Sequence, residues 1–203
     1  TLQNAIYRIN GTNWTDITGG HVINASKHTF VTFQDNVIGT NYDNNVWHWD
    51  GITASVSEIA AAPRAKWAAV FQGRLCLGNV IAGGSVLRAS VFYSGIDNFQ
   101  MFNLADNSWE FETEDGQEIR GILPLGSKLV VYKEHSIGTV SGYGLSSWAV
   151  DRNTVKGVGS VSGYAIAQAR LLINGRVVES HVFLGEDVIY SFDGSSAIRL
   201  SEE

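Results

Sequence analysis

The chain has 203 residues, 44% hydrophobic, 11% aromatic and 17% charged, which supplies ample apolar surface for a core and too little charge for a disordered segment. A formal net charge of −6, with no cluster of Lys and Arg, argues against a dedicated nucleic-acid binder, because such proteins gather basic groups against phosphates. A single cysteine, Cys76, excludes an intrachain disulfide, and no apolar run approaches the roughly 18 residues that span a bilayer.

Twenty-two glycines stand against two prolines, among many short runs of Val, Ile, Phe, Tyr and Trp, and this pattern predicts an all-β protein full of tight turns. Residues 5–18 read as strand, Asn10-Gly11 corner, strand, the outer hairpin of a blade whose inner strands would lie before Thr1. Residues 28–52 enter through Phe30-Val31-Thr32-Phe33, cross at Val37-Ile38 and alternate through Val46-Trp47-His48-Trp49, which puts Trp47 and Trp49 on one strand face. Residues 56–62, short and alanine-rich before Pro63, are the best helix candidate. Residues 65–94 open on Lys66-Trp67-Ala68-Ala69-Val70-Phe71 and contain a lengthened hairpin loop at Gly83-Gly84; Cys76 falls within an apolar strand and reads as a buried structural thiol.

Residues 96–103 lead to Trp109-Glu110-Phe111-Glu112-Thr113-Glu114, a period-two strand with one acidic face. Those three carboxylates lack the compact loop geometry of a hard-cation site and read as a solvated face. Residues 121–142 form the cleanest unit, with Leu129-Val130-Val131-Tyr132, a turn at Lys133-Glu134-His135-Ser136 and a strand at Ile137-Gly138-Thr139-Val140. The chain then reaches Gly185-Glu186-Asp187-Val188-Ile189-Tyr190-Ser191-Phe192-Asp193-Gly194, which states the repeat most fully.

The corner in that segment recurs as Asn10-Gly11, Asp50-Gly51, Ser94-Gly95, Ser141-Gly142 and Asp193-Gly194, each after aromatic or β-branched residues. Glycines 11, 51, 95, 142 and 194 are spaced 40, 44, 47 and 52 residues apart, the period of a four-stranded propeller blade with loops of unequal length. Asp-Gly between β-rich runs predicts a tight type I′ hairpin. Four of the corners have a shared lead-in: Phe33-Gln34-Asp35-Asn36, Phe71-Gln72-Gly73-Arg74, Leu125-Gly126-Ser127-Lys128 and Leu184-Gly185-Glu186-Asp187. The expected fold is therefore a β-propeller of about four complete four-stranded blades plus a partial one. It occupies residues 1–203 as one domain or as a portion of a larger propeller.

Catalytic signatures are missing from the sequence: no His-Glu-x-x-His, no Gly-x-Ser-x-Gly elbow, no phosphate loop and no cysteine pair. His21, His28, His48, His135 and His181 share no ligand spacing, and Glu186 with Asp187 lies in a repeated turn, so no catalytic, metal or cofactor site is expected. The glycosylation sequons at Asn10, Asn13 and Asn24 read as turn chemistry. The six tryptophans, at 14, 47, 49, 67, 109 and 148, read chiefly as packing between blades; Trp47 with Trp49 is the best pair for stacking on a sugar ring.

The strings Val130-Val131-Tyr132-Lys133-Glu134-His135-Ser136-Ile137 and Phe183 to Ser196, ending in Ile198-Arg199-Leu200-Ser201-Glu202-Glu203, resemble the β-propeller virion proteins of tailed phages. These are the head-to-tail plug proteins that stabilise packaged DNA and the tail nozzle proteins of short-tailed phages. Tyr93-Ser94-Gly95-Ile96-Asp97-Asn98-Phe99 is similar to their aromatic-serine corner, and the likeness covers about residues 66–203. The resemblance implies a virion structural protein at the head-to-tail connector or tail, assembled in the host cytoplasm as a homo-oligomeric ring. Its neighbours would be portal, adaptor or tail proteins, with genome DNA passing but not tightly bound, no membrane and no catalysis. An acidic surface suits a conduit that DNA crosses without sticking. The alternative is a carbohydrate-binding propeller, lectin-like or recognising host glycan, with Trp47 and Trp49 as its platform; a hydrolase would need convergent carboxylates.

Overall fold

The computed structural model describes residues 4–21, 23–24, 27–113, 116–173 and 175–200. Among these residues there is no α-helix; one 3-10 turn, Gly163–Ala165, is capped by the Ser162 hydroxyl, which accepts from the Tyr164 N–H. Everything else regular is antiparallel strand. The chain forms two compact units, one of Thr1–Val86 with Phe92–Asn107 and the other of Leu87–Val91 with Ser108–Glu203.

In the first unit, β1 (Tyr7–Asn10) and β2 (Asn13–Asp16) make a two-stranded hairpin. Next comes a four-stranded meander of β3 (Thr29–Phe33), β4 (Asn36–Thr40), β5 (Trp47–Trp49) and β6 (Ser57–Glu58). A second meander runs β7 (Arg64–Phe71), β8 (Arg74–Ala82), β9 (Ser85–Gly95) and β10 (Asn98–Phe102). Leu87–Val91 of β9 belong to the second unit, as does β11 (Ser108–Glu110), which pairs with β9; the Phe111 N–H donates to Ala89 O just beyond its end.

The second unit holds two more meanders. One is β12 (Gly121–Leu125), β13 (Lys128–Tyr132), β14 (Ser136–Ser141) and β15 (Ala149–Lys156). The other is β16 (Ile166–Ile173), β17 (Arg176–Leu184), β18 (Ile189–Phe192) and β19 (Ala197–Arg199). Their shared core is Val130, Tyr132 and Ile137 against Phe183, Val188, Tyr190 and Phe192. β8, β13 and β14 are buried on both faces, whereas β1 and β2 are exposed along their length.

Each glycine corner in these four sheets sits at the same place, the link from third strand to fourth, which is the topological content of the repeat. The corners do not share a turn type. Asp193-Gly194 opens a four-residue loop, since Phe192 pairs with Ala197; Asp193 accepts from the Ser195 and Ser196 N–H groups, so an Asx turn replaces the expected two-residue type I′ hairpin. Ser94-Gly95 belongs to β9 itself, and the turn falls at Ile96-Asp97, because Gly95 pairs with Asn98. Ser94 is buried there, its hydroxyl accepting the Leu75 N–H and donating to Gly95 O.

The lead-ins also need one correction. Gln34-Asp35, Gln72-Gly73 and Gly126-Ser127 join first strand to second, the first two as type I′ turns with positive φ at both residues (49° and 58°, 47° and 68°). Leu184-Gly185-Glu186-Asp187 instead joins second strand to third, as a four-residue loop between Leu184 and Ile189. In that sheet the first strand gives way to the second across the Ile173–Arg176 pair; Asn174 is outside the described residues. Residues 56–62 are not helical either. Ser57–Glu58 pairs with β5 and Ile59–Ala62 closes a turn, because seven residues gain less from a helical nucleus than from an adjacent strand edge.

Candidate functional site

The sheet β3–β6 places Trp47 and Trp49 on one face, as their period-two spacing requires. Trp47 pairs with Gly39 and Trp49 with Val37 across the β4–β5 ladder. Glycine at 39 is a seat for the indole: a Cβ built there would lie 2.2 Å from Trp47 Cζ2. Trp47 is only 3% exposed and joins Ile17, Ile23 and Val56 in a small core, with Ile6 and Trp49 packed against it. Trp49 is half-buried, donates its Nε1–H to Thr53 O at 2.9 Å, and carries the Arg8 guanidinium 6.0 Å from its ring centre. The two rings therefore do not form an open double platform.

Both tryptophans line a cavity of about 360 Å³ with Tyr7, Arg8, Phe30 and Val37. Its walls are mostly apolar. Trp47 Nε1 is buried there without a hydrogen-bond partner among the described residues. On the opposite face of the same sheet, Phe33 and His48 pack on Phe99, with ring centres 6.1 and 5.0 Å apart.

The other tryptophans follow the packing expectation with one exception. Trp67 and Trp109 are buried, and Trp109 meets Trp148 edge-on at 4.7 Å, whereas Trp14 is exposed on β2. The acidic run is shorter than its alternation suggests: the strand ends at Glu110, although Glu110 and Glu112 still face solvent beside buried Trp109 and Phe111; Glu114 is outside the described residues. The Asn24 sequon runs through Ala25 and Ser26, also outside them, as are Ser201, Glu202 and Glu203.

In the second unit titratable side chains are engaged both within a sheet and between neighbouring sheets. Asp187 accepts from its own turn's Val188 N–H and from the Tyr190 hydroxyl, and forms an ion pair with Arg199. Burial pushes the Asp187 carboxyl up, but these hydrogen bonds and the guanidinium together hold it below its ordinary value. His135, in its expected turn, lies 3.7 Å from Glu186, and Arg120 pairs with Glu118 and Glu134. Lys133, read from the sequence as a turn residue, is fully buried at the end of β13, where Nζ donates to Phe111 O and Thr113 Oγ1. No group of three metal-ligating side chains gathers among the described residues. Cys76 is buried in β8, and desolvation pushes its thiol up to about 12.

His181 is a site that spacing rules gave no reason to single out. It is fully buried on β17, with Nδ1 2.9 Å from the Tyr132 hydroxyl and Nε2 3.0 Å from Pro124 O. A carbonyl can only accept, so Nε2 carries the proton and Nδ1 accepts from Tyr132. Burial pushes the His181 pKa down, partly offset by the bond to Pro124, and burial also lowers that of His48 against the raising effect of Asp50. A depressed histidine withholds a proton that the unfolded chain binds. Stability should thus be full above pH of about 6.5 and decline as pH falls through that value, levelling below the folded pKa. Urea midpoints from pH 7.5 to 5 should fall, and His181→Gln, which cannot protonate, should flatten the decline; an equal slope in the variant would contradict the assignment. Asp50 is held low by the N–H groups of Thr53 and Ile52, and Asp193 is held low against its burial by Ser195 and Ser196. These carboxylates enter only below pH of about 4.

No protein-family model and no curated protein sequence matches the chain. Among solved structures it is similar to the N-terminal domain of Nup159, at 11% identity and a TM-score of 0.58 over 100% of this chain and 59% of that one. It is also similar to Saccharomyces cerevisiae Sqt1, at 8% identity and a TM-score of 0.42 over 97% of this chain and 66% of that one. The chain thus spans 59% of the length of the Nup159 structure. The first likeness, at that identity, shows the fold alone, and with the four-stranded meanders it establishes an all-β chain of the β-propeller class.

Proposed function

We propose that this chain is a structural component of a tailed-phage virion, at the head-to-tail connector or in the tail, where it guides or retains the packaged genome without catalysis. It works there as a homo-oligomeric ring beside portal, adaptor or tail proteins, after assembly in the host cytoplasm. The likeness of residues 130–137 and 183–196 to plug and nozzle propellers prompts the reading. The observation that carries it is the use of polar groups within those strings: Lys133, Asp187, Tyr190 and Asp193 are spent on holding strands and turns together. A net charge of −6 favours passage of DNA over retention by contact.

Protein composition of density-purified particles tests this. The chain should be present at a copy number set by the tail's rotational symmetry, and particles made without it should lose packaged DNA or fail to join a tail. Its absence from such particles would end the proposal. The carbohydrate-binding alternative is favoured by one feature, the partly exposed Trp49 and Phe30 at the mouth of an apolar cavity. A saturable glycan interaction lost in Trp49→Ala would support that alternative instead.

A further inference from the structure

The cavity beside Trp47 and Trp49 is walled on one side by a hairpin that is half of a blade. Among the described residues every other sheet has at least four strands, while β1 and β2 stand as two. A two-stranded hairpin with one face bare is marginal in water. Its apolar face is uncovered: Tyr7, Ile9 and Trp14, which share that face, are 45%, 58% and 67% exposed.

Two further observations locate what is lacking. The Ile17 N–H donates to Ile6 O, so Ile6, Arg8 and Asn10 bond towards β2 in the alternating antiparallel pattern. The N–H and C=O groups of Tyr7 and Ile9 therefore point to the open edge of β1. The neighbouring sheet is covered only in part: on one face of β3–β6, Trp47 on the third strand is buried, but Phe30 on the first is 57% exposed and Val37 on the second 36%. Where a complete blade lies alongside, as β12–β15 does against β16–β19, Phe183 on the second strand is as buried as Phe192 on the third. Exposure at Phe30 and Val37 thus marks the place of a first and second strand.

We propose that the open edge of β1 and the cavity above Phe30, Val37, Trp47 and Trp49 accept an antiparallel β-hairpin of polypeptide outside residues 4–200, forming the two inner strands of a fifth blade. The hairpin adds to β1 through the Tyr7 and Ile9 backbone groups, and its alternate apolar side chains fill the cavity, which is strand addition with pockets for every second residue. The required chemistry is that of this chain's own inner hairpins, apolar strand, two-residue turn, apolar strand, as in β3–β4. This inference does not depend on the virion reading.

The test uses the 203-residue chain and a synthetic peptide with the sequence of residues 29–40, followed by hydrogen exchange and tryptophan fluorescence. The peptide should bind saturably, protect the Tyr7 and Ile9 amides and shift Trp49 emission. Ile9→Pro, which removes an edge donor without touching a bond to β2, and Phe30→Asp, at an exposed position, should each weaken binding by about tenfold or more. The proposal is overturned if the peptide protects neither amide at about 1 mM. It is overturned equally if both variants bind as the parent does. Two substitute occupants would also sink it: an oligosaccharide shifting Trp49 where the peptide does not, or concentration-dependent pairing of two copies protecting the same amides.

Discussion

Replacing Phe192 with Ala should cost the second unit about 3–5 kcal/mol, from lost transfer energy and a cavity that rigid neighbours cannot close. Phe192 is fully buried on β18, and its ring meets Tyr132 edge-on with centres 6.4 Å apart. Tyr132 also packs on Phe183, whose ring stacks on Tyr190, so the four aromatics form one continuous contact between β12–β15 and β16–β19. Domains are stable by only about 5–15 kcal/mol, so the variant should lose a large part of its urea midpoint. Amide exchange in β13, β17 and β18 should accelerate with it. A loss below about 1 kcal/mol would mean that the two sheets are not held by this cluster.

The second large effect separates corners that look alike in sequence. Gly142→Ala should destabilise by roughly 3 kcal/mol or more, combining backbone strain with overlap, each worth about 1–3 kcal/mol. Its φ is +102°, and a Cβ there would lie 2.1 Å from Ser147 O, a backbone atom held in the loop that returns to β15. Gly11→Ala should cost only about 1 kcal/mol, since its φ of +61° lies in the left-handed region open to other residues and nothing comes within 4 Å of its Cβ position. Thermal melts of the two variants side by side measure the contrast. Equal losses would show that the corners act through a shared turn geometry, which the structure denies.

The contrast explains what a reader of this sequence can and cannot extract. The corners are legible because a glycine after an aromatic run marks a sharp reversal wherever the loop then goes, and all four sheets use that reversal between their third and fourth strands. Loop length is not legible, since Asp193-Gly194 and Ser94-Gly95 look equivalent yet one begins an Asx turn and the other stays in the strand. The misplaced Leu184-Gly185 lead-in had a warning attached. It stands nine residues before its corner glycine, where Gly73 stands 22 before Gly95, too little chain for the two strands that intervene in the other blades. Trp47 and Trp49 were placed on one face by period alone, but burial depends on what covers that face, and β1–β2 covers only part of it. His181 and Lys133 are buried by partners 49 and 22 residues away, Tyr132 and Phe111, and no local pattern encodes such distant pairs.

A density map of the tailed particle, sharp enough to separate strands at about 4.8 Å, is the most direct test of the structural role. It should show these four-stranded meanders repeated by rotational symmetry around the DNA channel, with Phe183 and Phe192 inside and an added hairpin against β1. A map whose connector and tail hold no such sheets, or in which the chain sits singly on a distal fibre with glycan over Trp49, would contradict it.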